Sequence, residues 1–358
     1  MKNSKTTYCH LPWSYLYLRY GGRIQPCCQN STELGNVNNK NFKFQEVWNG
    51  EKLQQIRKLI SENQYEQAGC SSECNVIHSL KYDGEVDLFN QDMIEMSKKN
   101  SLLKKNFLEF NSNIIKKHSI ISNMPLQLDI QPLEACNMAC TMCHQNHTNS
   151  VKLDNSSIKK IITPNLKTIY SIRLQGGEVF LNNTYKDLLL ELKENTESHQ
   201  IIHVITNGSL LSIDDLNKMT RGDNPIHFSI SSDGINEYTF KKIRNSSHFY
   251  KVMHNIKYLS EIQKKKDLDI LTWNFVVMKS NFYQIKELIQ ISVSLKIKIN
   301  IQTIIGEYKD ENIFRYNLLD NEKSFNYLNE AIDLSKKSKA NIIGLEVIKQ
   351  KLTKVREY

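Results

Sequence analysis

The residues best suited to chemistry in this chain are its cysteines, and they fall into two groups. Cys136, Cys140 and Cys143 stand at C-x3-C-x2-C in the stretch QPLEACNMACTMCHQ, whereas Cys9, Cys27, Cys28, Cys70 and Cys74 lie far upstream and none follows Cys143. Eight cysteines in 358 residues are too few for a disulfide-dense scaffold. The N-terminal MKNSKTTYCHLPW has no apolar leader, and no stretch approaches the roughly 18 apolar residues that span a bilayer. The expectation is a cytoplasmic protein with no membrane partner, where clustered thiols read as metal ligands or catalytic groups. A zinc site on the triplet needs a fourth ligand, for which His144 and His147 are candidates. An iron-sulfur cluster also takes four ligands, so three cysteines leave one iron open to bind something else.

Composition allows a large folded core to position these residues. With 47 Lys+Arg against 38 Asp+Glu and 40% hydrophobic residues, the chain is globular rather than disordered. The net charge of +9 is spread through Lys-rich helical segments, which read as solvated faces. From residue 126 the pattern turns regular. The segments 126–131, 168–175, 201–206, 226–232, 270–278 and 297–304 alternate apolar and polar residues as strands do. Helical patterns lie between them, with Phe249, Val252, Met253, Ile256 and Leu259 on one face and Ile285, Leu288, Ile289 and Ser292 on the next. Alternating strands and helices predict a parallel sheet of right-handed crossover units, here six in an open or partial barrel. Functional residues then belong just after the strands, and the C-x3-C-x2-C triplet follows the first of them.

With that placement the sequence resembles the radical S-adenosylmethionine (SAM) enzymes, whose signature is CxxxCxxC on the loop after the first strand of a partial (β/α)6 barrel. An apolar residue precedes the last cysteine in that family, and here it is Met142. The later motifs also match in order. Gly176-Gly177-Glu178 resembles the family's GGE, Thr206-Asn207-Gly208 its TNG turn, and Ser231-Ser232-Asp233-Gly234 its S-[IL]-D-G, with serine in place of the usual aliphatic residue. Arg244 corresponds to an arginine that pairs with the SAM carboxylate in several members. The resemblance implies a 4Fe-4S cluster on Cys136, Cys140 and Cys143 whose open iron chelates SAM. It further implies SAM contacts from Met142, Gly176, Gly177, Glu178, Asn207, Ser231, Asp233 and Arg244.

The upstream cysteines have a setting of their own. Cys9 opens a hydrophobic hairpin with Gly21-Gly22 at its turn, Cys27 and Cys28 follow the second arm, and Cys70 and Cys74 close the segment after a helix marked by Leu53, Ile56, Leu59 and Ile60. This resembles the SPASM or twitch module, which carries an auxiliary 4Fe-4S cluster. Cys9, Cys27, Cys70 and Cys74 are the implied ligands. Neighbouring side chains on an extended segment point to opposite faces, so Cys28 either replaces Cys27 or is a spare thiol. Zinc on the same thiolates is the alternative. The expected order is an auxiliary domain over 1–78, a helical connector over 79–122, the barrel over 123–306 and a helical extension over 307–358. The fold class is thus α/β, a partial (β/α)6 barrel preceded by a small α+β cluster domain.

The implied function is reductive cleavage of SAM to a 5′-deoxyadenosyl radical that abstracts hydrogen from a substrate, most readily a peptide or protein. The alternative within the family is a dehydrogenase or epimerase of a small sugar, alcohol or nucleotide. An electron donor such as flavodoxin or ferredoxin is the implied partner, and no residue identifies a general base. A reading from another class, a non-enzymatic zinc protein binding nucleic acid, leaves GGE, TNG and SSDG unexplained and lacks the aromatic and basic repeats of such a surface.

Overall fold

The computed structural model describes residues 5–72, 74–88 and 91–356. The chain forms two compact units. The first runs to Glu134 and takes in Asn149–His203, and the second comprises Ala135–Thr148 and the chain from Val204 onward.

In the first unit, the predicted hairpin pairs Tyr15–Arg19 with Arg23–Gln25 in antiparallel register, Tyr17 opposite Gln25. Gly21 and Gly22 make the turn at positive φ, 71° and 84°. A short strand, Gly35–Asn36, is added beyond it. On its other side the hairpin does not stand apart from the barrel. Tyr15–Arg19 runs parallel to Gln127–Gln131, from Tyr15 opposite Gln127 to Arg19 opposite Gln131, and Gln127–Gln131 runs parallel to Ser171–Leu174. Because side chains alternate along a strand, Leu16, Leu18, Leu128, Ile130, Ile172 and Leu174 form one buried apolar face. The opposite face is polar.

The helix expected after the hairpin is broken into Phe44–Trp48 and Glu51–Ser61. Arg57 lies on the buried side of the second piece and is fully enclosed. Its guanidinium donates to the carbonyls of Pro12, Trp48 and Ser119 at 2.8 to 2.9 Å and lies 4.9 Å from the Trp48 ring. Burial lowers its pKa to about 9. One side chain therefore ties together the N-terminal segment, this helix and the end of the connector. The connector is helical over Asn75–Asp83, Gln91–Ser97 and Ser101–Ile115, and Asn106 anchors it by donating to the carbonyls of Met124 and Thr168.

In the second unit His227–Ser231, Leu271–Val277 and Lys298–Thr303 are parallel neighbours. Ile342–Ile343, which was not expected from the sequence, extends them in parallel. Phe228, Ile230, Trp273, Phe275, Val277 and Ile299 are almost wholly buried among the crossover helices Glu237–Arg244, Phe249–Lys266 and Ile285–Leu295. The chain is poor in glycine, with 13, and ends these helices with Asn245, Asp267 and Lys296 in the left-handed conformation, where glycine is the usual choice. Ile201–Thr206 is the third of the six predicted strands, and the unit boundary falls within it. The C-terminal extension is helical over Asn321–Ser338 and Leu345–Arg356.

Candidate metal centres

Cys136, Cys140 and Cys143 lie on an irregular loop of the second unit, and hydrogen bonds hold the loop at each turn. Cys136 N donates to His147 O at 3.1 Å, Cys143 N to Cys140 O at 3.1 Å, and Thr141 N to Ile243 O at 2.9 Å. Cys136 and Cys140 are partly buried and Cys143 is exposed. Met142 packs against Ile243, Met278 and Ile304 beside Tyr308 and Phe314.

Two donors from neighbouring elements reach the sulfurs. Asn207 Nδ2 lies 3.7 Å from Cys136 Sγ and also donates to Asn137 Oδ1 at 2.8 Å. Asn207 Oδ1 accepts from Ser209 N and Oγ, so the Thr206-Asn207-Gly208 turn clamps the loop. Gly208 has φ +73°, a conformation costly for other residues, and a Cβ there would sit 3.1 Å from Ile230.

The second donor is Arg244, the last residue of its helix, where the helix dipole favours a cation. Its Nη1 is 3.7 Å from Cys140 Sγ, and its Nη2 pairs with Asp233 Oδ2 at 2.6 Å. Asp233 is fully buried, its Oδ1 accepting from Val276 N at 2.7 Å and its carbonyl from Asn281 Nδ2 at 2.9 Å. Burial raises the Asp233 pKa against the pull of Arg244. Burial also works against the charge of Arg244, but Asp233 and the neighbouring Cys140 and Cys136 outweigh it and hold its pKa above the ordinary value. Arg244 Nε is buried without a partner. Ser231 ends its strand half-buried, in register with Asn274. Asn137, Asn281 and Tyr308 had no distinguishing signal in the sequence.

The GGE residues belong to the first unit. Gly176 has φ +152°, and a Cβ there would lie 2.4 Å from Leu133 O, so only glycine fits. Gly177 N donates to that same carbonyl at 3.1 Å. Glu178 is fully buried, and its Oε1 accepts from Phe180 N at 3.1 Å.

The upstream cysteines are brought together in the first unit from three segments. Asn30 forms bridges to both Cys27 and Cys70, and its Nδ2 donates to Ala68 O at 2.7 Å and lies 3.9 Å from Cys70 Sγ. Ser71 N donates to Gln29 O, and Cys70 N to Tyr65 O. Cys74 stands at the N-cap position of the helix Asn75–Asp83. Burial pushes the Cys9 thiol up to about 12, with smaller contributions from Cys74 and Cys70. Burial likewise raises Cys27, whose neighbours are Cys28, Cys9 and Cys70. Burial also raises the Cys28 thiol. After burial, the groups acting on it are Asp129 and Arg173, then Cys74.

Among the described residues no three His, Cys, Asp or Glu side chains are gathered closely enough to hold a single metal ion. A 4Fe-4S cube asks for a different arrangement, with one ligand at each iron corner. The residues present fit it chemically: soft sulfur donors, a buried guanidinium beside one of them and amide donors beside two others.

Family comparisons agree with this reading. Residues 130–291 match the radical SAM superfamily and residues 9–75 match an iron-sulfur cluster-binding domain, SPASM. Residues 130–291 are thus of the radical SAM type and residues 9–75 of the SPASM type, and the cofactors those domains imply are SAM and 4Fe-4S clusters. A search of the curated proteins found no match. Among solved structures, SuiB of Streptococcus suis aligns with 86% of this chain and 66% of its own length, at 18% identity and a TM-score of 0.51. The enzyme anSMEcpe with bound AdoMet aligns with 61% of this chain and 64% of its own, at 18% identity and a TM-score of 0.48. At such identity the likeness to SuiB concerns the fold, α/β with a mostly parallel sheet. No helix among the described residues is long and apolar enough to cross a membrane.

Proposed function

We propose that this chain reductively cleaves SAM at a 4Fe-4S cluster held by Cys136, Cys140 and Cys143 and abstracts a hydrogen atom from a peptide or protein substrate. A second 4Fe-4S cluster is held by Cys9, Cys27, Cys70 and Cys74. When bound, the reduced cluster and SAM supply a 5′-deoxyadenosyl radical. The chain's own residues bind, orient and shield. Asn207 and the turn around it fix the loop at Cys136, Met142 anchors its end in an apolar cluster, and Arg244 places a positive charge beside Cys140. That buried guanidinium, balanced by Asp233 and carrying an unpartnered Nε, is the observation that carries the proposal. A cation here offsets the negative charge of cluster thiolates in a site of low dielectric.

The peptide reading comes from the pairing of a radical SAM domain with a SPASM-type module in one chain. SuiB itself has been crystallised with a precursor peptide, SuiA. Anaerobic reconstitution with iron and sulfide is the test. About eight irons per chain as two 4Fe-4S clusters, with 5′-deoxyadenosine formed on adding reductant and SAM, are expected. Stoichiometric zinc without SAM cleavage would sink the proposal. Transfer of deuterium from a labelled peptide into 5′-deoxyadenosine is the expected sign of a peptide substrate, whereas transfer only from a sugar or nucleotide would replace it.

A further inference from the structure

The first unit holds a polar array that neither cluster accounts for. Strand register sets Tyr17, Asp129 and Arg173 in one row across three strands, on the face opposite the leucine and isoleucine layer. Asp129 Oδ2 accepts from Tyr15 OH at 2.6 Å, from Gln175 Nε2 at 3.4 Å and from Arg173 Nη2, with which it is ion-paired. Tyr17 OH donates to Gln131 Oε1 at 2.5 Å. Tyr15, Tyr17, Asp129 and Gln131 are buried.

A network that only braced three strands would be closed on itself, and this one is open on one side. Arg173 leaves 35% of its side chain exposed, Gln175 is half-buried and Cys28 is exposed. All three donors to Asp129 fall on Oδ2, which leaves Oδ1 free to accept. Arg173 Nε is buried without a partner. The array therefore presents one unfilled acceptor on Asp129 and one unpartnered guanidinium N–H on the Arg173 paired with it. It holds one carboxylate and one guanidinium, so its charge sums to zero, and a charged ligand would lose its hydration without a net opposite charge to meet it.

From this we infer that the Asp129–Arg173 pair, bordered by Gln175, is a binding site for an uncharged carboxamide, the group that carries an N–H donor and a C=O acceptor side by side. Asp129 Oδ1 accepts from the amide N–H and Arg173 donates to the carbonyl. The inference rests on the peptide reading above and assigns residues to it.

The test is saturation-transfer NMR on the reconstituted enzyme with N-acetylglycine methylamide as probe, and with glucose and acetate as competitors of other chemistry. The amide should give a signal that falls at least fivefold in Arg173→Gln and Asp129→Asn and about twofold in Gln175→Ala, with neither glucose nor acetate displacing it. Gln175→Ala, at a half-exposed position, keeps the test decisive should the buried-pair variants fail to fold by circular dichroism. No amide signal with the wild type, an amide signal unchanged in the folded variants, or displacement by glucose or acetate would each overturn the site. Formation of 5′-deoxyadenosine by the same preparation is scored separately, since its loss with amide binding intact counts against SAM cleavage and leaves the amide site standing.

Discussion

The two cysteine groups solve opposite problems. The loop of Cys136, Cys140 and Cys143 draws all its sulfurs from eight consecutive residues, leaves Cys143 exposed and sets a buried ion pair, Arg244 with Asp233, behind it. The upstream group draws its sulfurs from three segments, buries Cys9 and Cys74 and has a neutral donor, Asn30, beside Cys70. A site that must exchange a ligand is kept open and supplied with charge. The upstream site is more enclosed and pinned by backbone hydrogen bonds. The difference teaches that the two groups should fail in different ways when damaged.

The largest effect is expected at the open loop. Cys140→Ala should abolish SAM cleavage and remove about half of the bound iron, four of eight atoms, as read by chromatography of 5′-deoxyadenosine and by iron analysis. Cys70→Ala should remove the same amount of iron yet leave SAM cleavage in place, uncoupled from product. Equal loss of cleavage in both variants would erase the distinction. Next comes Arg244→Gln, which removes the charge and leaves Asp233 buried without its partner. A roughly 10- to 100-fold loss of activity is expected, together with a lower reduction potential for the cluster whose paramagnetic signal shifts on adding SAM. Asp233→Asn should move that potential the other way. In the closed group, Asn30→Ala should cost about 1–3 kcal/mol, the penalty for buried groups left unsatisfied, read as a lower urea midpoint with SAM cleavage retained.

The smallest effect concerns pH. Burial lowers the pKa of His227, so the folded state binds this proton less readily than the unfolded one. Stability should therefore be full above the unfolded value near 6.5 and fall as pH drops below it. His227→Gln should flatten the urea midpoint between pH 7.5 and 5.5 relative to wild type.

Sequence periodicity located the six barrel strands because each alternates locally, and the motif residues could be read because each follows a strand end. What it missed depends on distant partners. Nothing in Tyr15–Arg19 announces Gln127–Gln131 as its neighbour, and Ile342–Ile343 is too short for any periodicity. The burial of Arg57 had a signal that its charge obscured. It lies four residues after Leu53 and three before Ile60, on the apolar side of the helix. The family resemblance implied Arg244 and Asp233 as SAM contacts, and the structure adds that they pair with each other, a relation between a strand end and a helix end that no local pattern encodes.

The parallel pairing of Tyr15–Arg19 with Gln127–Gln131 also bears on how the chain is made. During synthesis the hairpin emerges long before its partner, and until residue 131 leaves the ribosome one edge of Tyr15–Arg19 is an unprotected template for pairing with other chains. Non-local parallel pairing is slow to form. Truncated products ending in the connector should consequently aggregate, and a nascent chain should gain protease resistance at the hairpin only once the first barrel strand has been translated.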